Sequence, residues 1–95
     1  MKTIKKHFFE YQAAWTGGRN EVGQIHTENL STAVSIPSSM NGPGVGTNPD
    51  ELLLSAAATC YLISLATMLE RTKIEAELNL RSKGIVQVEN EKYTY

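Results

Sequence analysis

Eighteen consecutive residues, Leu52 to Leu69, carry no charge. Much of the stretch is alanine and leucine, and its start is strongly marked. Asn48 fits the N-cap, Pro49 the first helical position and Glu51 the third, in the manner of a capping box. The pattern predicts a helix from Pro49 to about Arg71, on the order of 34 Å long at ~1.5 Å per residue. It is apolar or small on nearly every side, so it is expected to be enclosed by other structure. Eighteen residues is the lower edge for a membrane span. However, Ser55, Thr59, Ser64 and Thr67 interrupt the stretch, and no cluster of positive charge flanks it. A helix buried in protein is therefore the expectation, with a membrane-associated helix as the outlying alternative.

The chain of 95 residues suffices for one small domain. Nine Lys and Arg stand against ten Asp and Glu. That balance lacks the basic excess of a nucleic-acid binder, so no nucleic-acid partner is expected. One cysteine excludes an internal disulfide framework and suits a reducing, cytoplasmic setting. MKTIKKHFFEYQ has a basic start but no apolar core of signal-peptide length.

The first third reads as β. Residues 7–16 alternate with Phe9, Tyr11, Ala13 and Trp15 on one face, and Gly17-Gly18 marks a turn. Further strands are expected at about 21–28 and 32–37, ended by Pro37. Together they predict a three-stranded antiparallel meander. Residues 38–47 form a glycine-rich loop. After the helix, Ile74, Ala76, Leu78 and Leu80 alternate, and residues 85–95 begin another strand pattern. The fold class is thus α+β: an antiparallel β-meander, a long central buried helix and returning β-strands. A helix apolar on all faces needs more cover than these strands supply, from a second chain or from a longer protein.

Between Asn29 and Leu69 the ionisable side chains are Asp50, Glu51, Cys60 and Tyr61. Acids at a helix start satisfy free N–H groups and the helix dipole. That accounts for Glu51 and leaves Asp50 available. GPGVGTNP has neither a Walker lysine nor GxGxxG spacing, so phosphate binding is not expected. Cys60 is either a small buried hydrophobe or a reactive thiolate. The second needs a positive neighbour, and no cation lies within a helical turn or two. Arg19, after the Gly17-Gly18 turn, is a candidate from elsewhere in the fold. His7 and His26 lack ligand spacing, and no metal site is expected. Ser55 and Ser64 fit helix packing better than serine catalysis.

The segment GVGTNPDELLLSAAATCYLISLATMLER resembles the OsmC/Ohr family (osmotically inducible protein C and organic hydroperoxide resistance proteins). That family carries G-T-N-P-E-(E/Q)-L, then an alanine-rich helix with a cysteine ten residues after the first acid. Here the acid is Asp50 and the cysteine Cys60. Trp15 to Arg19, WTGGR, is similar to the family's segment ending in its active-site arginine. The resemblance spans nearly the whole chain and implies an OsmC-like fold in an intertwined homodimer. Residues 1–95 would then be a single OsmC-like domain, the N-terminal two-thirds of a complete one.

It further implies a thiol-dependent peroxidase acting on organic, and in part inorganic, hydroperoxides in oxidative or osmotic stress defence. Cys60 would be the peroxidatic cysteine, Arg19 would stabilise its thiolate, and Asp50 or Glu51 would orient Arg19. No metal or bound cofactor is implied; an external small thiol or dihydrolipoyl group would be the reductant. Ten helical residues separate Asp50 from Cys60, about 15 Å along the axis. A shared site would therefore draw on two chains or on a bend at Asn48–Asp50. The chain departs from the family in having Asp50 for Glu and in lacking, up to Tyr95, the family's second, resolving cysteine. The alternative is a catalytically weak or inactive OsmC-like binding or stress-associated protein.

Overall fold

In a computed structural model, residues 4–89 and 92–94 are described. The chain divides into two compact units, one up to Asn48 and one from Pro49 onward.

The first unit holds strands β1 (Gln12–Ala14), β2 (Gly23–His26) and β3 (Ser31–Val34). They form an antiparallel sheet in the order β1-β2-β3, which is the expected meander. Register pairs Ala13 with Ile25 and Ile25 with Thr32. Ile25, on the central strand, is the buried hydrophobic residue, 5% exposed. β1 is much shorter than the 7–16 alternation predicts. Phe8, Phe9 and Tyr11 are exposed, Phe9 at 93%, because alternation makes a strand only where a neighbour takes up its hydrogen bonds. Trp15 instead lies against Gly23, where a Cβ would run into its ring.

After β3 the chain makes a closed loop. Thr47 N–H donates to the Ala33 carbonyl, and Ser35 N–H donates to the Thr47 carbonyl, at 3.0 and 3.1 Å. Residues 34 and 47 thus form a parallel bridge. Between them lies a 3-10 turn, Ser38–Met40, ended by Asn41 in the left-handed conformation, φ 61°. Gly46 combines φ 72° with a backbone so close to Ala33 that a Cβ would meet its carbonyl.

The second unit opens with helix α1, Pro49–Arg71, over the span its sequence predicts. Asp50 and Glu51 occupy the first turn and Arg71 the last, each sign matching the helix dipole. The exit is a Schellman motif. Lys73 takes φ 57°, Lys73 N–H donates to Glu70 O, and Ile74 N–H donates to Leu69 O at 2.9 Å.

None of the residues of α1 is buried, so the described residues of the second unit do not give the enclosure that its apolar surface predicts. Leu54, Ala58, Leu62, Leu65 and Leu69 are half-buried along one stripe. Leu53, Tyr61, Ile63 and Met68 are each at least 59% exposed. Among the described residues of the second unit, the returning segment after α1 lies against it. Ile74 and Leu78 lie beside Ala66 and Leu69, and Gly84 approaches Leu54. That segment is not the strand expected at 74–80, for no ladder forms there. β4 (Gln87–Glu89) and β5 (Lys92–Thr94) pair antiparallel, Val88 opposite Tyr93. The described part of residues 85–95 thus contains two short paired strands rather than one. Residues 90, 91 and 95 lie outside the described ones.

Two substitutions test these backbone assignments. Gly46→Ala is expected to destabilise the protein by about 2 kcal/mol or more in urea denaturation. Lys73→Gly is expected to stabilise it by about 0.5–1 kcal/mol, since glycine takes the left-handed position without a Cβ penalty.

Candidate functional site

Arg19 lies in the turn between β1 and β2, which begins with Gly17 at φ 98°. The Trp15 indole N–H and the Glu21 amide both donate to the Gly18 carbonyl, at 3.1 and 3.3 Å, and hold the turn. From there the guanidinium crosses to the glycine-rich loop. Its Nη2 donates to Met40 O at 2.6 Å, and its Nη1 donates to Asn41 O at 3.3 Å and Asn20 Oδ1 at 3.1 Å. These carbonyls close the 3-10 turn, so a full positive charge meets the negative end of a short run of peptide dipoles.

The loop owes its shape to Ser35, a residue that sequence reasoning did not single out. It is 4% exposed. Its hydroxyl donates to the Val45 carbonyl and accepts from the Val45 N–H, both at 2.8 Å. One side chain thereby occupies both backbone groups of a residue ten positions away. The available signal was a lone hydroxyl inside the apolar run AVSI, since a buried polar group needs partners. Gly42 sits so tightly on Ile36 that a Cβ would strike its backbone.

Cys60 is a free, exposed thiol midway along α1. Asp50 and Glu51 both lie in the first turn of α1. Asp50 is half-buried, and among the described residues its Oδ1 has no hydrogen-bond partner. Glu51 is exposed, and its carbonyl accepts from Ser55 Oγ at 2.7 Å. The acids line one end of a groove of about 420 Å³, closed by Leu53, Leu54, Ala57 and residues 84–86. Cys60 lies beyond it, ten residues along the helix from Asp50. The structure thus places Asp50, Glu51 and Cys60 on one element, and places Arg19 with the loop carbonyls. His26 Nδ1 lies 2.8 Å from Ser31 Oγ across the sheet. Among the described residues no three His, Cys, Asp or Glu side chains gather as metal ligands. By length and composition alone, α1 could cross a membrane, a test that core helices of soluble proteins also pass.

No family model matches the chain. It is 56% identical over 90 residues to the uncharacterized protein YmaD of Bacillus subtilis (strain 168), covering 94% of this chain and 60% of that protein. It is 24% identical over 86 residues to the uncharacterized protein ACIAD3023 of Acinetobacter baylyi, covering 90% of this chain and again 60% of the relative. The chain thus spans about three-fifths of the length of the curated relatives it matches.

Replacing Arg19 by Met removes the charged donors from the 3-10 turn. The Asn41 and Gly42 amides, which donate to Ser38 O and Pro37 O, are then expected to exchange with solvent roughly fivefold faster in hydrogen-exchange NMR.

Proposed function

We propose that this chain is the peroxide-reducing part of an OsmC/Ohr-like thiol peroxidase, with Cys60 as its peroxidatic residue. The observation that carries the reading is GTNPDEL running into α1, with Cys60 ten residues after Asp50 as a free, exposed thiol. The order of meander, glycine-rich loop and long helix supports it.

The chemistry needs only sulfur. The Cys60 thiolate attacks the terminal oxygen of a hydroperoxide. The O–O bond breaks as the S–O bond forms, giving a sulfenic acid and an alkoxide that takes up a proton to leave as alcohol. Sulfur loses two electrons and the peroxide gains them. An external thiol, small or dihydrolipoyl, then displaces water from the sulfenic acid. A second thiol breaks the mixed disulfide and restores Cys60. In this reading Arg19 supplies the positive charge that stabilises the thiolate and the departing oxygen. Asp50 or Glu51 orients it. The exposed apolar faces of α1 are covered in a cytoplasmic homodimer of OsmC-like domains. The apolar character of α1 favours organic hydroperoxides over hydrogen peroxide.

Stopped-flow oxidation of Cys60 by cumene hydroperoxide and by hydrogen peroxide tests this, on this chain and on a version extended to the relatives' length. The expected result is oxidation far faster than a free thiol, slowed about 100-fold in Arg19→Ala and abolished in Cys60→Ser. A rate no better than a free thiol at both lengths would overturn the enzyme and leave a binding or stress-associated protein.

A further inference from the structure

We propose that Ser35 is a positioning residue for Arg19: its hydroxyl locks the glycine-rich loop, and the locked loop presents the two carbonyls that hold the guanidinium. The proposal deepens the peroxidase reading and rests on it for the consequence at Cys60.

Ser35 is nearly fully buried, and its hydroxyl bonds both backbone groups of Val45. The loop's base is zipped by the Thr47–Ala33 and Ser35–Thr47 backbone bonds. Its middle is pinned by Gly44 N–H on Ile36 O and Gly42 N–H on Pro37 O, both 3.0 Å. Arg19 then bonds Met40 O and Asn41 O, the carbonyls at the end of the 3-10 turn. An arginine side chain on an exposed turn has many rotamers of similar energy, and holding one of them costs entropy. Two carbonyls at fixed separation select a rotamer only if their own backbone is immobile. The hydroxyl of Ser35 provides that immobility, with no titratable group and no contact to Arg19.

The test uses Ser35→Ala, with Ser35→Thr as the variant that keeps the hydroxyl, each checked for native circular dichroism. The first readout is trypsin cleavage after Arg19, followed by mass spectrometry, which requires the guanidinium to leave its carbonyls. Ser35→Ala is expected to speed cleavage at Arg19 about tenfold, with cleavage at Lys5, Lys6 and Arg81 unchanged and Ser35→Thr close to the parent. The second readout is Cys60 oxidation by cumene hydroperoxide. Ser35→Ala is expected to slow it about tenfold in the parent and not at all in Arg19→Ala. Unchanged cleavage at Arg19, or an equal loss of rate in both backgrounds, overturns the proposal. If Arg19→Ala itself leaves oxidation unchanged, the peroxidase reading fails, and the cleavage result alone decides whether Ser35 positions Arg19. Should Ser35→Ala fail to fold, Val45→Pro, which removes the N–H that Ser35 Oγ accepts, takes its place with the same two readouts.

Discussion

An all-round apolar helix of 23 residues imposes the dominant constraint on this protein, because its surface must leave water somewhere. Each fully buried leucine or isoleucine is worth roughly 2 kcal/mol, and in α1 Leu53 and Ile63 are exposed while its other leucines are only half-buried. The returning segment from Ile74 to Val86 shields parts of one face and no more. Its residues 74–80 make no ladder. The other described element of the second unit is the two-stranded pair β4-β5, and two strands alone are marginal in water. Cover for α1 from a second copy, as the proposed homodimer has it, meets this constraint without a membrane.

The first unit solves a different problem. Its sheet has a single well-buried hydrophobic residue, Ile25, so apolar burial alone gives it little order. Order comes instead from hydrogen bonds concentrated in the loop after β3. Ser35, Thr47 and the amides of Gly42 and Gly44 tie a run of thirteen residues to itself. Glycines stand where a Cβ would collide with Ala33 or Ile36. Arg19 then joins this loop to the β1–β2 turn. Such a loop is suited to holding a charged side chain at a set place, because internal hydrogen bonds fix its backbone while the Met40 and Asn41 carbonyls accept from the guanidinium.

Much of this was legible in the residues. The bounds of α1 follow from Pro49, the adjacent acids and the absence of charge to Leu69, all of which act locally. The meander follows from alternation punctuated by Gly17-Gly18 and Pro37. The roles proposed for Cys60, Arg19, Asp50 and Glu51 rest on the resemblance carried by GTNPDEL and WTGGR. Strand lengths were not readable. The 7–16 and 74–80 alternations are as regular as those of β2 and β3, yet only short ladders or none form there, since pairing depends on a neighbour and not on the segment.

By itself, then, the sequence determined the helix, the order of the strands and the residue types able to carry thiol chemistry, because propensity, capping and turn signals act over a few residues. Tertiary structure alone decided where the guanidinium of Arg19 rests and that Ser35 closes the loop. Those outcomes depend on groups 10 to 22 residues apart meeting in space, and no local pattern encodes such a meeting.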